Sequence, residues 1–386
     1  MSVGTTVFSL GPSIINAFFP LLANLLFTIK GGGGLDENGK LQDLMGINTL
    51  GPYKWIMPVM SLIFFALGYI TAFGVKERMV LPHQEKMHVP FFRGIADTLK
   101  NKYIMLANAS GILGSFRVII YTYINWVCTY MIISEWSQTI ASTIIPMAYT
   151  PGLLLAPLLI QKFGKKNLII VSNFACAFFT AVMLGMTFIG GGNKTVVGWS
   201  MFVLSFFLTL ANSVQVVTNY SLTAQQYDYQ QLRTGKRMEG FVSQFGSVVN
   251  TLAGMGFAFI TPAINRHYGY VDDVSVLYNA NVIIPILRMY CVLGIASGVL
   301  GAIPMFFWDM TEKKHREIME VLKVRASVQD GVLDQAIGKE LEDQLLGGDE
   351  FAWKNYMQEN GIADAIKQDE ERQQEQPHPD YTDAES

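Results

Sequence analysis

Residues 227–240 read YDYQQLRTGKRMEG and place Asp228, Arg233, Lys236, Arg237 and Glu239 in one short connection between two long apolar runs. Elsewhere the chain is greasy: 51% of its 386 residues are hydrophobic and 15% are charged. A soluble domain carries about 25% charged residues. The charges that remain cluster between apolar runs of about 20 residues or more, the length that crosses roughly 30 Å of hydrocarbon as a helix. A backbone in lipid must satisfy its own polar groups, so such runs are helical. The pattern predicts an all-α, polytopic membrane helical bundle with about eight transmembrane helices, at 6–29, 54–75, 104–133, 138–160, 167–190, 197–222, 241–264 and 279–308.

Basic residues set the sidedness. One alternating set of connections holds seventeen Lys and Arg, the other set five. The positive-inside rule places the first set, with residues 227–240, in the cytoplasm. The net charge of −3 hides two regions of opposite sign. From Ser327 onwards sixteen acidic residues face four basic ones, and this polar segment reads as a largely disordered cytoplasmic tail. Residues 309–326 read as an amphipathic juxtamembrane segment. Trp55, Trp136, Trp199 and Trp308 lie near span ends and read as a membrane-interface belt.

Several classes drop out. Cys128, Cys176 and Cys291 lie inside apolar runs without CxxC or Cys/His spacing, so neither a zinc site nor a disulfide framework is expected. The four glycines of residues 31–34 follow no strand and open no helix, so they are not a phosphate loop. No nucleophile constellation or nucleotide motif points to an enzyme, and no cofactor, metal or nucleic-acid partner is expected.

Polar groups at membrane depth are the candidate site. Arg117 lies mid-span, with Tyr121, Asn125 and Cys128 following at helical spacing and Trp126 close by. Arg and Asn can bond sugar hydroxyls, and an aromatic face can stack on a pyranose; the competing reading is Arg117 as bundle glue. Asn212, Gln215 and Asn219 form a second stripe, and Ser243, Ser247, Asn250 and Gly254 a third. Either lines a cavity or simply hydrogen-bonds between helices. Arg288 lies near its span end and reads as snorkelling to the interface.

The connection at 227–240 resembles the signature between the tenth and eleventh helices of the glycoside–pentoside–hexuronide:cation symporter family, the melibiose-permease-like branch of the major facilitator superfamily. The matching residues are Asp228-Tyr229, Thr234-Gly235-Lys236-Arg237 and Glu239-Gly240. GLLLAPLLIQKFGKKN, with Gly164, Lys165 and Lys166, is similar to the superfamily's short cytoplasmic loop, and DMTEKKHREIMEVL to the family's tail start. The resemblance implies that residues 1–75 are the last two helices of an N-terminal bundle, 76–103 the inter-bundle linker and 104–308 a C-terminal six-helix bundle. About four helices would then precede residue 1 in an N-terminal segment outside this chain. It also implies a symporter of glycosides or related sugars in the plasma membrane, working by alternating access and coupled to Na+ or H+. Lys236 and Arg237, with Lys165 and Lys166, would close the cytoplasmic side; otherwise they only fix topology. The register puts Thr251, beside Asn250, where melibiose-permease-like members carry a cation-site lysine. None of the eight span cores contains Asp or Glu, so cation coupling rests on kinship alone. Two alternatives stay open: a non-transporting membrane scaffold, sensor or inactive fragment, and a transporter of lipid.

Overall fold

In the computed structural model, residues 91–133, 137–235, 238–270, 274–347, 350–359 and 361–375 are described, with scattered helical positions between 54 and 69. The span expected at 6–29 lies outside the described residues, and that at 54–75 is described only at those scattered positions. Among the described residues there is no strand. Among the described residues, six helical stretches are long and apolar enough to cross a membrane: Lys102–Ile132, Thr143–Phe163, Lys165–Ile189, Lys194–Thr234, Glu239–His267 and Ala280–Phe306. They coincide with the six later spans read from the sequence. The chain divides into two compact units.

The first unit comprises residues 1–65, 99–224 and 240–309. Its described helices are α2 (Lys102–Gly114), α3 (Val118–Trp126), α4 (Ser137–Met147), α5 (Tyr149–Phe163), α6 (Lys165–Ile189), the membrane part of α7 (Lys194–Thr234), α8 (Glu239–His267) and α9 (Ala280–Phe306). The label α1 is kept for Phe91–Leu99, which precedes them. Asn101 starts α2 by accepting bonds from the amides of Tyr103 and Ile104 at 3.0 and 3.4 Å. Helix α9 packs closely on α6 and α2 because small residues line its contact face. A Cβ on Gly298 would stand 2.8 Å from the Ala177 Cβ, and one on Gly301 would stand 3.1 Å from the Gly114 Cα. Such close approach lets polar side chains bridge backbones. Ser110 Oγ donates to Gly301 O at 2.6 Å and Ser297 Oγ to Leu113 O at 2.8 Å. The core of the unit gathers Ile120, Tyr123, Met183, Leu208, Ile283 and Tyr290. Phe178, Phe188, Leu158, Leu252 and Phe259 stand exposed, the inverted pattern that a lipid-facing surface requires.

The first described span is not one regular helix. A 3-10 turn at Ser115–Arg117 precedes α3, and a π-helical turn, Val127–Ile132, follows it. That turn ends at Ile133 with φ of 52°, a left-handed backbone costly for a β-branched residue. Trp308 also departs from the belt expectation. It is 1% exposed and packs on Tyr103 with ring centroids 5.0 Å apart, whereas Trp199 is exposed as a belt residue should be. Trp55 and Trp136 lie outside the described residues.

The second unit comprises residues 66–98, 225–239 and 310–386. It holds most of α1, the last residues of α7, and helices α10 (Glu312–Gln329), α11 (Gln335–Leu346), α12 (Glu350–Glu359) and α13 (Ile362–Glu375). The tail read as largely disordered is therefore helical through Glu375. Apolar residues spaced for helical faces explain the difference: Leu333, Leu341, Leu345, Met357 and Ile362 close over Val321 and Val324 of α10. Acidic composition masked this core, because average polarity does not register a sparse periodic stripe. Thr311 and Asp334 cap α10 and α11, accepting from the amides of Lys314 and Ala336 at 3.2 and 2.8 Å.

Candidate functional site

Arg117 ends the 3-10 turn and is 7% exposed. Its Nη1 donates to Asn173 Oδ1 at 2.7 Å and its Nη2 to Gln215 Oε1 at 2.6 Å, which ties α6 and α7 to the first span. Its backbone amide donates to Ser297 Oγ of α9 at 3.3 Å. Asn173 is fully buried and is fixed in turn by its Nδ2 bond to Ile169 O at 3.0 Å. Arg117 thus joins four helical elements through neutral partners, two by its guanidinium and one by its backbone amide. Tyr121, Tyr149 and Cys176 also lie within electrostatic reach of Arg117. Tyr149 accepts from Asn212 Nδ2 at 2.9 Å, which brings Asn212 into the same polar region.

Of the candidates, the hydrogen-bonded network holds Arg117 and Gln215; Tyr121 lies within electrostatic reach of Arg117, and Asn212 bonds to Tyr149, which does too. Asn125 is exposed, and Trp126 stacks edge-on against Tyr123 with centroids 4.6 Å apart. The stripe from Arg117 to Cys128 does not hold, because the 3-10 and π turns change the angular advance along the span. Asn219 is exposed beyond the network. Asn250 and Thr251 are exposed on α8, where Thr251 Oγ1 turns back to Ser247 O at 2.8 Å. Sequence reading missed Asn173, whose signal was a lone amide deep in an apolar run. It also missed a second network, in which the hydroxyls of Tyr123 and Tyr290 lie 2.8 Å apart and both engage Asn265.

In the second unit the motif is held by α10. Asp228 Oδ2 lies 2.9 Å from His315 Nε2. Arg325 Nη1 donates to Leu232 O at 2.8 Å, a cation on the last carbonyls of α7. The same guanidinium pairs with Glu342 of α11. That hydrogen bond holds the Glu342 carboxyl below the usual carboxylate range and raises Arg325. Gly235 ends α7 at φ of 68°, with its amide donating to Gln231 O at 2.8 Å, so glycine is required by the left-handed cap. Thr234 Oγ1 donates to Gln230 O at 2.8 Å within its own helix. Tyr229 is half-buried, and Glu239 sits in the first turn of α8, where the helix dipole favours an acid. Nothing lies near the position of a Cβ on Gly240. Lys236 and Arg237 lie outside the described residues.

In the short loop of the first unit, Gly164 at φ of 77° separates α5 from α6, whose first turn holds Lys165 and Lys166. Lys166 Nζ donates to Phe306 O at 3.0 Å, the C-terminal end of α9. Its contact is within its own bundle.

The family described as MFS/sugar transport protein matches residues 4–312, most of the chain and all six described spans. The chain belongs to that family. Membership makes it an integral, multi-pass membrane protein of a sugar-transport family and points to a transporter rather than an enzyme. Neither the curated proteins nor the solved structures gave a match. In a transporter of this family the Arg117 network is a charged polar centre buried within the membrane bundle, and Asp228, paired with His315, belongs to the motif between two spans.

Proposed function

We propose that the chain is a secondary active transporter of glycosides or related sugars in the plasma membrane, a symporter driven by Na+ or H+ that works by alternating access. The observation that carries this reading is the Arg117–Asn173–Gln215 network, a charged and amide-lined centre within a membrane bundle of a sugar-transport family. Ionisable groups at that depth are costly and persist where they serve a ligand path. Arg117, with Tyr121, Asn212 and Gln215, offers donors and acceptors to a hydroxylated ligand. Asn125, Trp126, Asn219, Asn250 and Thr251 would engage it only from other faces.

Alternating access needs contacts that form in one state and break in the other. The signature residues Asp228 to Gly240 supply them on the cytoplasmic side, with Lys236 and Arg237 as the gate cations and Asp228 restrained by His315. The polar rather than apolar character of the Arg117 region favours sugar over lipid as substrate. Counterflow of radiolabelled sugars in proteoliposomes tests the reading. Saturable exchange that is lost in Arg117→Gln supports it, and exchange indifferent to Arg117 removes its basis.

A further inference from the structure

The cytoplasmic rim of the first unit is one-sided in charge. Its cytoplasmic connections carry Lys100, Lys102, Lys162, Lys165 and Lys166. Asp309 is the only acid among the described residues of this unit. That carboxylate is already engaged: Lys102 Nζ donates to its Oδ2 at 2.6 Å and the Tyr103 hydroxyl to its Oδ1 at 2.7 Å. In the loop between α5 and α6, Lys166 Nζ meets a neutral carbonyl, Phe306 O, at 3.0 Å. Lys162 is exposed, with its Nζ 5.4 Å from the centre of the Phe163 ring. Neither contact neutralises its charge.

The surface that continues from these lysines into the membrane is apolar. Residues four apart share a helix face. On α5 one face runs Leu154, Leu158, Lys162, with the two leucines 55% and 63% exposed. On α9 an exposed face runs Val299, Ile303, Phe306, and Phe307 follows at 69% exposure. The Lys166–Phe306 bond brings the start of α6 and the end of α9 to one place. Cations therefore stand at the rim, with exposed aromatic rings beside them and apolar columns leading away from them. A phospholipid carries the complementary sequence of groups: an anionic head, then an apolar chain.

We propose that this rim binds an anionic phospholipid of the cytoplasmic leaflet. Lys162, Lys165 and Lys166 hold its headgroup, and its acyl chains lie along the exposed faces of α5 and α9. Lysine binds phosphate as a compact point charge, and basic clusters at the cytoplasmic ends of spans attract anionic headgroups. The apolar columns favour a lipid over a soluble phosphate, which gains nothing from them. The inference goes beyond the transport reading and does not depend on which solute moves.

Native mass spectrometry of the full chain, released from a neutral detergent, counts bound lipids. Phosphatidylglycerol and the zwitterionic phosphatidylcholine are titrated in parallel. One phosphatidylglycerol per chain is expected to bind saturably, at concentrations at least about tenfold below those phosphatidylcholine needs. Lys162→Gln should weaken it about fivefold, and Lys162→Gln with Lys165→Gln about thirtyfold, whereas Lys162→Arg keeps it. Leu158→Ser should weaken it about fivefold by shortening the apolar column. If the double variant does not fold, Lys162→Gln and Leu158→Ser, both at exposed positions, decide. Arg266→Gln removes an exposed cation from the last turn of α8, at the outer end, and should change nothing. Equal binding of the two lipids overturns the proposal, as does binding indifferent to Lys162. A loss in Arg266→Gln as large as in Lys162→Gln reduces the effect to net charge and also overturns it. Displacement of the lipid by glycerol 3-phosphate or inorganic phosphate at equal concentration would make the site one for a soluble anion and refute the lipid.

Discussion

Replacing Asn173 by Ala removes the acceptor that stands 2.7 Å from Arg117 Nη1, while the guanidinium stays buried. Interhelical hydrogen bonds between neutral groups in membranes average about 0.6 kcal/mol. This bond has an ionised donor, which places it nearer 1.5–3 kcal/mol. The lost amide also fills space, since a Cβ on Gly301 would stand 3.2 Å from Asn173 Oδ1. The bond to Ile169 O adds little, because that carbonyl is already part of α6. Together these give a loss of about 2–3 kcal/mol. For a unit of this size that lowers the melting temperature by roughly 4–12 °C. Thermal unfolding of the full chain in detergent, followed by tryptophan fluorescence, measures it. A double-mutant cycle with Arg117→Met isolates the pair, and a coupling above about 1 kcal/mol is expected for groups in direct contact. A loss under about 0.5 kcal/mol, or effects of the two changes that simply add, would refute the network as drawn.

Gly152→Ala drives a methyl to 1.8 Å from Ser213 Oγ and 2.9 Å from Leu210 O, so it should cost about 1–3 kcal/mol by overpacking α5 on α7. Ser213→Gly should restore part of that loss in the same thermal assay. Within the motif, Gly235→Ala should cost about 1–2 kcal/mol at its left-handed backbone. Gly240→Ala, with open space around it, should stay within about 0.5 kcal/mol of the parent. Glu342 titrates below its unfolded value, so its contribution is present above the unfolded carboxylate range and fades as pH falls through the lowered one. Hydrogen-exchange protection of α10 and α11 in the full chain, taken relative to the intrinsic rate at each pH, should therefore fall in acid, and Glu342→Gln should show the lower protection already at neutral pH.

The six later spans were legible because twenty-residue apolar runs have few solutions in lipid. Gly164 and Gly235 were legible only as members of the two loop motifs, and both prove to hold left-handed backbone. The candidate stripe below Arg117 was not, since periodicity arguments assume one helical pitch and this span changes pitch twice. Asn173 and Tyr149 escaped because their partners lie on other helices; only the packing of α6 against the first span and of α5 against α7 brings them to Arg117 and Asn212. The tail helices escaped for another reason. Their core uses few apolar residues among many acids, and charge dominated the reading. Trp308 looked like a belt residue by position, yet Tyr103 covers it.

Uptake of radiolabelled sugars, neutral and charged, into proteoliposomes holding the full chain tests the central claim most directly. Imposed Na+ and H+ gradients are compared, for the parent and for Arg117→Gln matched in folded amount. The account predicts saturable uptake that rises with one of the gradients and collapses when Arg117 is replaced. Folded protein in the bilayer that moves no sugar under either gradient, or moves it equally well without Arg117, would contradict it.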